Sequence, residues 1–249
     1  MGRVEGKVAV VTGAGTGIGR AAAKRLAEEG AIITVAEMDE ETGQEVAAEI
    51  GGQAIFVRHD VREEANWQGL FDTVAKNHGR PDILVNNAGT MFGRFPADEL
   101  SDAQYDQLVT LNQTAVVNVT RGLIPAIRKS DAGSIVNTVS ISARTGGSPG
   151  SSIYSATKAF VATYSRALAR ELGPDNIRVN AVSPGTISTD FHDRYSTSEK
   201  LETTRKSIPL QRLGMPADCA PAFVFLASEK LSGYITGQVI EINGGQLMA

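Results

Sequence analysis

The sequence predicts an α/β fold of the doubly wound, Rossmann-like kind: a mostly parallel sheet of about seven strands with helices on both faces. Three observations lead there. Short β-branched apolar runs alternate with longer segments of helical periodicity from one end of the chain to the other. Several of the runs are apolar throughout, as strands covered on both faces must be. The first strand-to-helix turn is dense in glycine, which such folds place at their ligand crevice.

In order, residues 7–12 read as a strand and 17–29 as a helix, closed by Gly30, the usual C-terminal stop. A second strand covers 31–36, and 39–50 has helix-forming composition up to Gly51-Gly52. Further strands are predicted at 53–58, 82–86, 134–140, 178–183 and 238–242. Helices are predicted at 63–78, 102–129, 152–172 and 217–228. No linker or solenoid repeat interrupts this alternation, so residues 1–249 are expected to form a single domain. The stretch 184–213 is polar and has no continuous apolar face. Its length in a compact domain predicts a lid over the substrate.

Of the 249 residues, 42% are hydrophobic and 21% charged, enough for a substantial core. Twenty-four basic and 28 acidic side chains leave a net charge of −4, which offers no broad attraction to nucleic acid or an anionic membrane. Cys219 is the single cysteine, so an intramolecular disulfide and a multi-thiolate metal site are both excluded. His59, His78 and His192 are scattered without a ligand pattern, and no metal is expected. The start has no apolar run of signal-peptide length, and no stretch approaches the ~18 apolar residues of a membrane span. A cytoplasmic protein is expected.

Residues 12–19 read Thr-Gly-Ala-Gly-Thr-Gly-Ile-Gly. Glycine allows a tight turn and close backbone approach, and the helix start presents free N–H groups to a pyrophosphate. Gly13, Thr16, Gly17, Ile18 and Gly19 are therefore candidate dinucleotide contacts. Glu37 ends the second strand, 18 residues after Gly19, where such folds place an acid that reads the adenosine ribose. A carboxylate accepts from ribose hydroxyls and repels a 2′-phosphate, and no basic residue stands at Thr16 or Met38 to rescue that phosphate. NAD is expected in preference to NADP.

Tyr154 and Lys158 are four apart on a predicted helix, hence on one face. An ammonium there would favour the tyrosinate and bring the phenol's pKa down towards working pH. By spacing alone the two could equally be a helix-surface pair. Ser140 ends a predicted strand at the C-terminal edge, where open α/β sheets place ligands. Asn112 lies within a predicted helix, where asparagine needs a reason; its amide could anchor a water or be a satisfied buried group. Asn86-Asn87-Ala88-Gly89 follows the fourth strand at the same edge.

Together these residues resemble the short-chain dehydrogenases/reductases, and the resemblance runs from Gly6-Lys7 to Gly244-Gly245. The turn matches that family's T-G-x-x-x-G-x-G. Asp60-Val61 matches its adenine-contacting pair, followed in order by Asn-Asn-Ala-Gly at 86–89, Tyr-x-x-x-Lys at 154–158 and Pro-Gly at 184–185. The resemblance implies Tyr154 as acid/base, and Lys158 as both its activator and a nicotinamide-ribose ligand. It implies Ser140 as the group that orients the carbonyl and Asn112 as support for a proton relay. Asn87 and Ile187 would flank the nicotinamide, with Thr189 near its carboxamide. Ser142 competes with Ser140; Ser140 is preferred for its distance from Ile135-Val136-Asn137, although its separation from Tyr154 is one residue longer than common.

The expected reaction is hydride transfer between a secondary alcohol or ketone and NAD, with NADP possible. Candidate substrate walls are 90–95, 142–150 and 186–208, with Met91, Phe92, Phe95 and Phe191 as apolar contacts and Arg94 and Arg144 as potential anion readers. Resemblance to the NADPH-dependent 3-oxoacyl-carrier-protein reductases supplies a second reading, and a catalytically silent NAD-binding regulator a third. The family likeness also implies a homotetramer built on the helices at 102–129 and 152–172.

Overall fold

The computed structural model describes residues 2–248, and their side chains except those of residues 64–66; residues 1 and 249, the ends of the predicted domain, lie outside the described residues. The first half runs β1 (Val8–Thr12), α1 (Gly17–Glu28), β2 (Ile32–Glu37), α2 (Glu40–Ile50), β3 (Ile55–Arg58), α3 (Glu64–His78) and β4 (Ile83–Asn86). Then come α4 (Asp102–Val109), a π-helical turn (Thr110–Thr114), α5 (Ala115–Ile127), β5 (Gly133–Thr138), α6 (Ser142–Thr145) and α7 (Ser152–Leu172). After a 3₁₀ turn (Gly173–Asp175) the chain ends with β6 (Ile177–Pro184), α8 (Asp190–Tyr195), α9 (Ser198–Ser207), α10 (Pro216–Ala227), α11 (Glu229–Ser232) and β7 (Val239–Ile242).

All seven strands pair in parallel, in the order β3-β2-β1-β4-β5-β6-β7. The order reverses between β1 and β4, where Val11 pairs with Val85. That reversal opens a crevice at the carboxyl ends of the strands, the place where such sheets bind ligands.

Alternate side chains of β1 explain why both faces are covered. Ala9 and Val11 point into a core shared with Leu26 of α1, Val46 of α2 and Phe223 of α10. Val8 and Val10 point into a second core with Leu70 of α3, Leu123 of α5 and Leu168 of α7. The period of two in the strand thus meets the period of 3.6 in six helices.

A buried polar chain crosses the sheet. Asn86 donates to Asn137 Oδ1 at 2.8 Å and to Thr120 Oγ1 at 2.9 Å, and Asn137 donates to Ser165 Oγ at 2.8 Å. These bonds join β4, β5, α5 and α7 and leave none of those amide donors orphaned. Arg178, also buried, donates to the carbonyls of Leu226 and Ala227 and to Ser232 Oγ, so it closes the end of α10.

Three expectations change. The helix predicted over 102–129 is interrupted by the π turn at Thr110–Thr114, and the strand predicted over 134–140 stops at Thr138. The stretch 184–213 contains α8 and α9, which an apolar periodicity did not announce because so few of their side chains are buried. Among the described residues no helix is long and apolar enough to cross a membrane.

Candidate active site

The crevice is a cavity of about 820 Å³, within the usual range for a small-molecule site. One end is the glycine turn. Gly13 and Gly17 have φ of +62° and +53°, a left-handed conformation that side chains resist. At Gly19 any Cβ would lie 2.0 Å from the Gly13 carbonyl oxygen and 2.5 Å from Asn87 Nδ2, so the helix start packs directly on the turn. Thr16 caps α1 without a side-chain hydrogen bond, and with Gly17 and Ile18 it lines the cavity. The first-turn N–H groups of a 12-residue helix thus open on this space. These features fit a pyrophosphate.

Glu37 stands at the end of β2, and its carboxylate accepts from Gly15 N at 2.9 Å and Met38 N at 2.8 Å. With Asp39 N at 3.3 Å, three backbone donors hold the charge beside the turn. Asp60 and Val61 line the same end. Asp60 is paired with Arg62, whose Nε is 2.9 Å and Nη2 2.5 Å from it, and that guanidinium holds the carboxyl below its ordinary range. Arg62, on the cavity wall, carried no motif that would single it out.

Asn87 braces the turn with its amide, donating to Gly13 O at 3.0 Å, while its Oδ1 accepts from Thr138 at 3.4 Å. Ile187 is buried, and Thr189 precedes α8 with its methyl 3.4 Å from where a Gly17 Cβ would sit. The segment after β6 therefore closes onto the glycine turn.

At the other end Ser140, Tyr154 and Lys158 converge on the cavity. Ser140 follows β5, and its hydroxyl bonds the Tyr154 phenol. Ser142 donates to Ser140 Oγ at 3.0 Å through its side chain and at 3.2 Å through its backbone, and it lines the same cavity. The long α7 carries Tyr154 and Lys158 one turn apart, with Lys158 Nζ 5.8 Å from the tyrosine ring centre and 2.9 Å from the Thr138 carbonyl.

The expected lowering of the phenol pKa is absent from the protein's own field. Burial pushes Tyr154 up to about 12, only partly offset by the Ser140 bond, and pushes Lys158 down to about 8. Desolvation of two enclosed groups outweighs their proximity.

Asn112 does not line the cavity. It is fully buried in the π turn, donating to Thr90 O at 2.8 Å and to Leu108 O at 3.0 Å. Its Oδ1 has no protein partner. A Cβ on Gly89 would lie 2.8 Å from that oxygen and 3.1 Å from Lys158 Nζ, so glycine leaves the two groups a common space. A π bulge at such a point is a common companion of functional sites.

The remaining wall lies in the stretch 186–208 expected to line the substrate and includes Phe191; Tyr195 joins it without having been singled out. Phe191 packs its ring 5.8 Å from Tyr154 and 5.1 Å from Tyr195, whose hydroxyl accepts from Thr90 at 3.3 Å. Burial, together with Arg94 and Lys200, holds His192 down at about 4, so its imidazole is neutral. The i, i+4 spacing of Phe191 and Tyr195 is the signal that could have announced Tyr195. Among the described residues no three His, Cys, Asp or Glu side chains gather as a metal site would require.

Residues 13–246 match the family described as enoyl-(acyl carrier protein) reductase. Over 98% of its length the chain is 40% identical to an uncharacterized short-chain type dehydrogenase/reductase of Sinorhizobium fredii, covering 99% of that protein. It is 36% identical to the cyclopentanol dehydrogenase of a Comamonas species, over 98% of both chains. The crystal structure of a Brucella melitensis 3-ketoacyl-(acyl-carrier-protein) reductase complexed with NADH superposes with a TM-score of 0.92 at 35% identity, over 98% of this chain and 100% of that one. The chain belongs to the short-chain dehydrogenase/reductase family of oxidoreductases.

Proposed function

We propose that this protein is an NAD(H)-dependent oxidoreductase that interconverts a secondary alcohol and a ketone, with Tyr154 as the acid/base. The carrying observation is that Ser140, Tyr154 and Lys158 share one cavity with a glycine turn and a backbone-held carboxylate at Glu37. Gly13, Thr16, Gly17 and Ile18 would hold the pyrophosphate, with Gly19 as the packing glycine. Glu37 would take the adenosine ribose and Asp60-Val61 the adenine. Lys158, Ile187 and Thr189 would line the nicotinamide end, with Asn87 fixing the turn. When bound, the nicotinamide accepts or returns the hydride.

The chain's own groups do the rest. Ser140 holds the substrate oxygen beside the phenol, and its donor stabilises negative charge as it develops there. In oxidation Tyr154 takes the hydroxyl proton; in reduction it gives one. Lys158 stabilises the phenolate electrostatically. The unpartnered Asn112 Oδ1 can accept from a water bonded to Lys158, which gives the tyrosine a proton route.

Glu37 supports NAD over NADP, because a 2′-phosphate would meet a carboxylate and the nearby Arg62 is already paired with Asp60. Titration with NADH and NADPH, followed by nicotinamide fluorescence, is expected to show tighter NADH binding, and Glu37→Ser is expected to narrow the gap by about tenfold. Tighter NADPH binding by the unaltered protein would reject the assignment. The 3-ketoacyl-carrier-protein reductase among the relatives supports a second reading, a reductase of carrier-bound ketoacyl groups. Faster turnover of a ketoacyl thioester than of any free ketone would select it. The retained serine, tyrosine and lysine argue against a silent regulator. We further propose one domain with a lid at 184–213, a cytoplasmic location and a homotetramer.

A further inference from the structure

We propose that the alcohol or ketone handled at Tyr154 carries a carboxylate, and that Arg94 and Lys200 bind it; this rests on the redox reading above. Arg94 lies in the loop after β4 and Lys200 on α9, and both line the cavity that Tyr154 and Ser140 line. Each is half-buried. They are close enough that Arg94's charge, after burial, is the second cause lowering the lysine's pKa.

Arg20, Arg62, Arg128, Arg205 and Arg212 are each paired with a carboxylate, whereas Arg94, like the buried Arg178, is met by carbonyls instead. Among the described residues neither Arg94 nor Lys200 has a carboxylate within ion-pair reach. Asp190 lines the cavity and Asp193 acts on His192, yet neither pairs with the two cations.

Arg94 is nevertheless held in place. Its Nε donates to Tyr195 O at 3.0 Å and its Nη1 to Pro149 O at 3.3 Å. A Cβ on Gly150 would lie 2.9 Å from Arg94 Cβ, so the loop carrying that glycine packs closely on the stem. Carbonyls orient the guanidinium without cancelling its charge, and Nη2 keeps its donors. Two half-buried, uncompensated like charges are unfavourable to the folded protein alone. A carboxylate has one oxygen for each cation and removes that cost on binding, so a substrate bearing one gains affinity. The apolar faces of Phe191 and Tyr195 beside them suit a short hydrocarbon body.

The test compares cyclohexanone with 4-oxocyclohexanecarboxylate, each reduced with NADH. The unaltered protein is expected to favour the carboxylate in kcat/KM by about tenfold or more. Arg94→Gln and Lys200→Gln are each expected to lower the ratio of the two kcat/KM values about tenfold, mainly through KM for the carboxylate. Arg94→Lys should retain part of the ratio. A preference for the neutral ketone, or a ratio moved less than about twofold by both glutamine variants, would overturn the proposal. If neither ketone is reduced, the redox reading fails by itself, and calorimetric binding of 4-oxocyclohexanecarboxylate decides the anion site. About tenfold weaker binding in Arg94→Gln upholds the site, and equal binding overturns it.

Discussion

At Tyr154 the balance of burial against hydrogen bonding sets the pH behaviour. A phenol pushed up to about 12 stays protonated throughout the neutral range, ready to donate but slow to accept. Ketone reduction is therefore expected to be level near neutral pH, and alcohol oxidation to climb as pH rises, because only the phenolate can take the hydroxyl proton. Lys158, pushed down to about 8, keeps its charge at neutral pH; above that it loses the charge that supports the phenolate, which limits the oxidative climb. Ser140→Ala removes the one bond that favours the phenolate, so the oxidative limb should move to higher pH while the rate falls about 10²-fold. A pH–rate profile of both enzymes checks this; an unshifted limb with full turnover would return the serine role to Ser142. The sequence showed the Tyr-x-x-x-Lys spacing but not the sign of the pKa change, because burial is a sum over many residues distant in the chain.

The elements owe their placement to a few buried polar bonds as well as to apolar packing. Asn137 links β5 to β4 and α7, and Asn137→Leu would leave the Asn86 amide and the Ser165 hydroxyl short of a partner. We expect a loss of about 2–4 kcal/mol of unfolding free energy, read from urea denaturation. A loss under about 0.5 kcal/mol would show that the network reorganises at no cost. The helix at Ser152–Leu172 was legible to the residue, since its composition and period agree over 21 positions. The π turn was not. It widens the helix around Asn112, whose side chain takes the Leu108 carbonyl, and no local pattern announces that exchange. The helices α8 and α9 were unread for a different reason: they are short, mostly polar and anchored by Phe191, Tyr195 and a hydroxyl cap at Thr197.

For the whole molecule, the exposed aromatic side chains bear on assembly. Tyr105 on α4 is 46% exposed and Phe160 on α7 is 36% exposed, with the Phe160 ring stacked on Tyr164 at 5.7 Å. A homotetramer would cover these rings. Sedimentation at micromolar concentration is expected to show four chains, and Phe160→Glu to yield smaller species. A stable monomer of the unaltered protein would reject the tetramer.

By itself the sequence determined the alternation of seven strands with covering helices, the glycine turn, the acid at the end of the second strand and the tyrosine and lysine on one helical face. Each of these is written within a few consecutive residues, where periodicity and turn chemistry act. Tertiary structure decided which groups meet: Asn112 and Lys158 across Gly89, Thr189 against Gly17, and Arg94 with Lys200 on one wall. It also decided that Ser142 donates to Ser140 and that the phenol is hard to ionise. Those outcomes depend on distance and burial between segments far apart in the chain, which no local pattern encodes.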